Sequence, residues 1–365
     1  MGTDVNPLRI AVVGGGYRAG LYLDLVRRLP HLLEVTGVMV RSERAAVPIA
    51  RRGLRVHRDL PALLQTSPSL VMVLVPALAA ARLVVELVRR GAAVLTETPP
   101  AADMGELRTL WNEVGSAERV QVAEQYLLFP HNAARLQVVR NGLLGTPTSV
   151  QVSSTQLYHA TSIIRGFLGV GARRARVLAS ASTAPLANPI SRSGWTGDAQ
   201  PHPLTTTVAT FDFGDGRCGL YDFTETQTRN PLRTRRLIVR GSVGELVDDR
   251  LVRLADAATV LSSSLERRQT GHHQDVQGAD IDQISVEGQV VFRNPFPGCR
   301  LSDEEIAMAT LLQRVGAWSR QEAAGPYSLA DAAQDQLLSS AIESAVSTGR
   351  EVVTSCEAWA GSVGR

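Results

Sequence analysis

The stretch that most constrains this chain is LRIAVVGGGYRAGLYLDLVRRL, residues 8–29. An apolar run from Leu8 to Val13 has the length of a buried strand, three glycines follow, and Leu21, Leu25 and Leu29 then recur at helical spacing. Strand, glycine turn and helix is how a dinucleotide-binding fold begins. Gly14, Gly16 and Ala19 satisfy the pattern G-x-G-x-x-G/A. The first glycine permits a tight turn, the second lets the backbone approach a pyrophosphate, and the third small residue allows close packing of helix on strand. Tyr17 and Arg18, which open the helix, join these as candidate cofactor contacts. Alone the pattern is weak, because glycine turns of this kind also occur in unrelated βα units.

The rest of the N-terminal third strengthens it. The strand LEVTGVMV ends at Val40, and strands LRVHRD, SLVMVLVP, AAVLTE and RVQVAEQY then alternate with helical stretches, among them AAARLVVELVRRG and one starting at Met104. Continuous Val/Leu strands between amphipathic helices signal a parallel sheet buried on both faces. Residues 1–124 are therefore expected to form a Rossmann domain, a doubly wound parallel sheet. Pro76 ends one strand, and Glu97 and Pro99 end another, so all three are expected near the nicotinamide end of a cofactor. About 20 residues past the glycine motif an NAD site places an acid for the ribose 2′-hydroxyl, whereas an arginine can pair with a 2′-phosphate. Here that position is Arg41, followed by Ser42 and Arg44. These three residues favour NADP(H) over NAD(H), against the alternative that they are solvated loop charges.

Composition narrows the class further. A length of 365 residues suits two domains of ordinary size. All 38 basic residues are arginine and none is lysine, a bias that reads as genomic rather than functional. No basic block interleaved with aromatics marks a nucleic-acid surface, and no apolar run has the length of a membrane span. Cys218, Cys299 and Cys356 fit neither a metal spacing nor a disulfide framework, so the chain reads as a cytoplasmic protein without a metal site. His272–Asp275, HHQD, resembles a metal pair only superficially and is expected to be an exposed loop.

Beyond Tyr126 the pattern changes to alternating strands such as TSVQVSSTQ, TTTVATFDF and CGLYDFTETQ, with the hairpin signal GDG at Gly214–Gly216. Two amphipathic helices, roughly Ser302–Ala323 and Ser328–Thr348, close the chain. Residues 125–365 are read as a second, α+β domain for substrate and oligomerisation.

The ordered series RIAVVGGGYRAG, LVP, RRGAAVLTETPPAADMGEL, the Tyr and Pro of QYLLFP, NGLLGTPTSVQV, HATSIIRGFLG, ATFDFGDGRCGLYDF, IVRGSVGEL and AIESAVSTGREV resembles the Gfo/Idh/MocA oxidoreductases, which include glucose-fructose oxidoreductase and inositol dehydrogenase. The resemblance implies a second domain built on a large, mostly antiparallel sheet, a small-molecule substrate held between that sheet and the nicotinamide, and a homo-oligomer, dimer or tetramer. It also exposes departures. Most members carry Glu-Lys-Pro where this chain has Glu97, Thr98 and Pro99, and their lysine assists proton transfer. The Thr98 hydroxyl can hydrogen-bond a substrate oxygen but does not titrate near neutral pH. Where the family places two acids around a histidine, Thr155 and Ser162 stand about His159. Where it often shows Pro-Asn-x-x-His, Ala77 and Ala80 stand after Pro76.

His159 is the remaining acid/base candidate, since imidazole ordinarily titrates near neutrality; a hydrogen-bonded residue at a helix start is the equal alternative. Tyr158 and Tyr126 could donate a hydrogen bond to a carbonyl or imine, with packing as the commoner role of such residues. Gln125, at the domain junction, could orient a substrate or the nicotinamide carboxamide. Trp195 and His202 lie in a Gly/Pro/Ser-rich segment, 188–207, expected as a loop that covers a pocket or forms a subunit contact.

Two functions fit. One is an NADP(H)-dependent oxidoreductase acting on a small carbonyl, imine or hydroxyl substrate through a lysine-free site, with the proton carried by His159, a tyrosine or water. The other is a catalytically silent homologue that binds a cofactor or metabolite in a regulatory or assembly role. A DNA-binding regulator is disfavoured, for want of a basic stripe or helix-turn-helix extension.

Overall fold

The computed structural model describes residues 6–271 and 278–363. HHQD, His272–Asp275, lies outside the described residues. The described residues pack into two compact units, one of residues 6–128, 295–333 and 362–363, the other of residues 129–271, 278–294 and 334–361.

In the first unit, strands and helices alternate as the sequence predicts: β1 (Leu8–Val13), α1 (Tyr17–Arg28), β2 (Leu33–Met39), α2 (Glu43–Ala50), β3 (Val56–His57), α3 (Leu60–Leu64), β4 (Leu70–Val73), α4 (Ala77–Arg89), β5 (Val94–Thr96), α5 (Met104–Val114) and β6 (Val120–Val122). The strands form a six-stranded parallel sheet in the order β3-β2-β1-β4-β5-β6, doubly wound about β1. Both faces are covered, and Ile10, Val12, Val38, Leu70, Met72, Val94 and Leu95 are buried. Ser42, Asp59 and Asp103 cap α2, α3 and α5 through their side chains, so these helices start where an oxygen can take an orphan backbone N–H.

The second unit begins with α6 (Pro130–Arg140), β7 (Pro147–Val152) and α7 (Leu157–Leu168). It continues through β8 (Arg176–Ala187), β9 (Ile190–Ser191), β10 (Gly194–Trp195), β11 (Pro201–Asp212), β12 (Cys218–Thr224), β13 (Leu237–Gly241), β14 (Gly244–Val247), β15 (Arg250–Asp256), β16 (Thr259–Ser264), β17 (Glu266–Thr270), β18 (Asp280–Val286) and β19 (Gln289–Arg293). The chain closes with α8 (Asp303–Ser319), α9 (Leu329–Thr348) and β20 (Val352–Val353). A nine-stranded sheet, ordered β16-β15-β14-β13-β7-β12-β11-β8-β20, is antiparallel except where β12 runs parallel to β7. Val150, Val152, Tyr221, Phe223, Val239, Leu246 and Leu251 form its buried side. β17, β18 and β19 make a separate three-stranded sheet.

Two features differ from the sequence reading. α8 belongs to the first unit: its Gly316 lies against Leu8, and Arg28 of α1 donates to Glu305 at 2.9 Å. An amphipathic helix does not record which sheet it covers, and this one covers the Rossmann unit. The segment 188–207 is also less of a loop than expected. β11 begins at Pro201 and pairs with β8 out to Ala187, while β9 and β10 fold into a small hairpin between them.

Candidate functional site

In an open α/β sheet, ligands bind outside the carboxyl ends of the strands, where the strand order reverses. Here the reversal lies between β1 and β4, and the glycine turn after β1 sits there. Gly14 has φ +124°, and a side chain on it would stand 2.2 Å from the Leu74 carbonyl oxygen, so only glycine fits. Gly15 is hemmed in by Val40 and Ile49. Gly16, the N-cap of α1, is different: its φ is −82° and nothing lies within 4 Å of where a side chain would begin. The space above Gly16 is open, as backbone approach of a pyrophosphate at a helix N-terminus requires. Ala19 is buried against the sheet.

A cleft of about 680 Å³ runs from this turn to the ends of β2 and β4. Gly14, Gly16, Arg41, Ser42 and Arg82 are among its lining residues. Arg41 and Arg82 are exposed, and among the described residues no acid lines the cleft. Ser42 also caps α2, accepting from the Ala45 N–H at 3.3 Å. Arg44 is exposed within α2, and Tyr17 is 64% exposed at the first position of α1. Arg82 escaped the sequence reading. The signal was present in principle, since α4 follows the strand that neighbours β1 and its first turns must border the glycine turn.

Arg18, a candidate cofactor contact, is engaged by partners within its own unit. Its guanidinium donates from Nε to Glu97 Oε1 at 2.9 Å, from Nη1 to Glu304 Oε1 at 3.0 Å, and from Nη2 to Gln125 Oε1 at 2.6 Å. The guanidinium also stands 5.1 Å from the centroid of the Tyr22 ring. Burial opposes its charge most strongly, but Tyr22, Glu97 and Glu304 together outweigh burial and hold the group above the ordinary arginine range. Burial likewise pushes the Tyr22 phenol well above its ordinary range. Glu304 is a further residue the sequence did not reveal, because nothing local ties position 304 to position 18.

Thr98 and Pro99 follow β5, joined by a cis peptide bond, with Thr98 half-buried and Pro99 exposed. Pro76 is the exposed N-cap of α4. Tyr126 is half-buried in a single 3₁₀ turn, its N–H donating to Glu124 Oε1 at 2.9 Å.

In the second unit, Tyr158 and His159 occupy the first turn of α7, their rings edge to face at 5.6 Å. Tyr158 is buried and His159 half-buried. Leu157, just before them, has φ +25°, and its N–H is taken by the buried Tyr221 hydroxyl at 3.1 Å. Thr155, at the first acid position of the family pattern, is fully buried. Trp195 is 75% exposed in the small hairpin, and His202 lies on β11 with Nε2 2.9 Å from Asp198 Oδ2. This contact, the largest influence on it, lowers the Asp198 carboxyl below its ordinary value. Among the described residues no cluster of His, Cys, Asp and Glu could hold a metal ion, and no helix is long and apolar enough to cross a membrane.

Residues 8–125 match the family model described as oxidoreductase family, NAD-binding Rossmann fold. This stretch, the N-terminal third of the chain, is similar to the Gfo/Idh/MocA oxidoreductases. No curated protein matches the chain in sequence. Solved structures share the fold over almost its whole length. A myo-inositol dehydrogenase from Corynebacterium glutamicum is 17% identical with a TM-score of 0.65, the match covering 95% of this chain and 98% of the other. An oxidoreductase from Agrobacterium radiobacter in complex with NAD+, L-tartaric acid and magnesium is 14% identical, TM-score 0.66, covering 96% and 98%. A levoglucosan dehydrogenase in complex with NADH and levoglucosan is 17% identical, TM-score 0.66, covering 95% and 99%. The chain thus combines a Rossmann unit with a mixed, mostly antiparallel sheet.

Proposed function

We propose that this chain is an NADP(H)-dependent oxidoreductase of the Gfo/Idh/MocA family that acts on a small carbonyl, imine or hydroxyl substrate through a lysine-free site. The observation that carries the cofactor reading is the cleft beside the glycine turn, lined by Arg41 and Arg82 with no carboxylate among the described residues that line it. A ribose 2′-hydroxyl calls for an acid at such a place, and a 2′-phosphate calls for arginine. The residues present fit the cofactor: Gly14 makes the turn and Gly16 leaves open the space a pyrophosphate needs.

Bound NADP(H) supplies hydride chemistry. The chain supplies position and protons. The Thr98 hydroxyl can hydrogen-bond a substrate oxygen but cannot replace a titrating lysine. Proton exchange falls to His159, with Tyr158 or water as the other routes. Two of these solved structures, the oxidoreductase from Agrobacterium radiobacter and the levoglucosan dehydrogenase, were captured with NAD+ or NADH, which bears on those proteins. The rival reading, a silent homologue that binds cofactor or metabolite without turnover, draws support from Thr98, Thr155 and Ser162 standing where the family has its lysine and acids.

A titration of the purified protein with NADPH and NADH, followed by nicotinamide fluorescence, tests the reading. NADPH is expected to bind more tightly, and Arg41→Ala is expected to weaken NADPH more than NADH. Equal losses would remove the NADP assignment, and binding of neither cofactor would favour the silent homologue.

A further inference from the structure

Arg18 ties together three segments that are distant in sequence, and each of its nitrogens serves a different partner. Nε takes Glu97 at the end of β5, Nη2 takes Gln125 just past β6, and Nη1 takes Glu304 at the start of α8. Its side chain is 24% exposed and Gln125 is 4% exposed. A lysine at this position could not reproduce that fork, because an ammonium is a single point with no fixed plane.

The consequence lies in the Gln125 amide. A carboxamide can present either its oxygen or its nitrogen to a neighbour, and the network around it decides which. Arginine only donates, so Gln125 must turn Oε1 toward Arg18. Its Nε2 is thereby directed away from Arg18, and among the described residues no group accepts a bond from it. Gln125 follows β6, at the same carboxyl edge of the sheet as the glycine turn after β1 and as Glu97 after β5.

We propose that Arg18 is a positioning residue that presets Gln125 as a hydrogen-bond donor to a carbonyl oxygen, that of the carboxamide on the nicotinamide half of the cofactor. The proposal rests on the NADP(H) reading of the cleft. It gives this lysine-free site a fixed, non-titrating donor. It also links the first turn of α1, beside the phosphate cradle, to the strand ends where the nicotinamide lies.

The test compares NADPH with adenosine 2′,5′-bisphosphate, which has the adenine half and no carbonyl. Calorimetry gives the affinities, and the emission of bound NADPH gives a spectroscopic signature. Gln125→Glu keeps an acceptor for Arg18 but removes the donor; Arg18→Met frees the amide to flip. Both variants are expected to bind NADPH roughly tenfold more weakly, the worth of one hydrogen bond, to shift the emission of bound NADPH in the same way, and to bind the bisphosphate as the wild type does. Arg18→Lys is not expected to rescue. If Gln125→Glu binds NADPH with wild-type affinity, the proposal is overturned. If Arg18→Met loses both ligands equally, Arg18 is a structural residue of the Rossmann unit and the proposal is again overturned. Should Arg18→Met fail to fold, Gln125→Glu alone decides. A wild-type protein that binds the bisphosphate and neither nicotinamide cofactor would sink the cofactor reading itself, an outcome distinct from variants that leave NADPH binding unchanged.

Discussion

Arg165 and Asp335 meet at 2.7 Å inside the second unit, the first on α7 and the second on α9, with 5% and 0% of their side chains exposed. Arg165 Nε donates to the Gly171 carbonyl at 2.9 Å, and the Thr161 hydroxyl donates to the Asp335 backbone carbonyl at 3.1 Å. Such a pair fixes the register of two helices. It contributes little net stability against well-packed apolar residues, because both charges lose their water, but breaking it leaves one charge buried without its partner. Asp335→Ala is therefore expected to cost about 3–5 kcal/mol, read as a lower urea midpoint with an unchanged slope. The double variant Arg165→Met with Asp335→Leu is expected to recover most of that loss. A single variant within about 0.5 kcal/mol of wild type, the range of an ordinary surface substitution, would show that the pair does not hold the helices.

Tyr221 supplies a pH-dependent element to the same unit. Burial pushes its phenol up to about 12, and its bond to the Leu157 N–H pulls the other way more weakly. The folded state therefore keeps a proton that the unfolded chain, with an ordinary phenol near 10, gives up. Stability is fully present below pH ~10 and falls as pH rises toward 12, because the unfolded state binds fewer protons there. Tyr221→Phe is expected to lose about 1 kcal/mol near neutrality, from the missing hydrogen bond to Leu157, and to unfold with a shallower pH dependence between pH ~10 and 12. Parallel stability curves for the two proteins across that range would rule this out.

The parts of this molecule that sequence could foretell are those written in contiguous residues. Leu8 to Leu29 encodes strand, turn and helix within one window, and the GDG at Gly214–Gly216 forms the expected turn, with the Arg217 N–H donating to the Gly214 carbonyl at 3.0 Å. What escaped depends on residues that find each other only in the fold. Pro185 and Pro203 look like strand breakers, yet they stand opposite one another across β8 and β11, where neither needs to donate to the other. Arg18 reads as a candidate cofactor contact because it opens the helix that follows the glycine turn. Its partners at 97, 125 and 304 claim it once the sheet has formed and α8 has docked on α1.

The glycine turn separates folding from binding at nearby positions. Gly14→Ala would place a methyl group 2.2 Å from a backbone oxygen at φ +124°. It is expected to cost about 2–5 kcal/mol, summing backbone strain and overpacking. Gly16→Ala meets no atom within 4 Å and has an ordinary φ, so its cost is expected to stay within about 1 kcal/mol, that of alanine at an N-cap. The methyl group would occupy the space reserved for the pyrophosphate, and NADPH affinity is expected to fall at least tenfold. Thermal melts and cofactor titrations of the two variants check both halves. An unaltered affinity in Gly16→Ala would place the phosphates elsewhere.

His159 is where the oxidoreductase and the silent-homologue readings make opposite forecasts. It is half-buried in the first turn of α7, held edge to face against Tyr158. With no lysine anywhere in the chain, it is the acid/base candidate of that turn. Once a substrate that consumes NADPH is in hand, His159→Ala is expected to lower turnover by roughly 10²–10⁴, the usual loss for a general acid, with NADPH affinity unchanged. His159→Asn, which keeps a polar side chain of similar size but cannot titrate, is expected to be as slow. If His159→Asn retains full turnover, proton transfer belongs to water or a tyrosine, and comparing Tyr158→Phe with Tyr126→Phe becomes the next discriminating step.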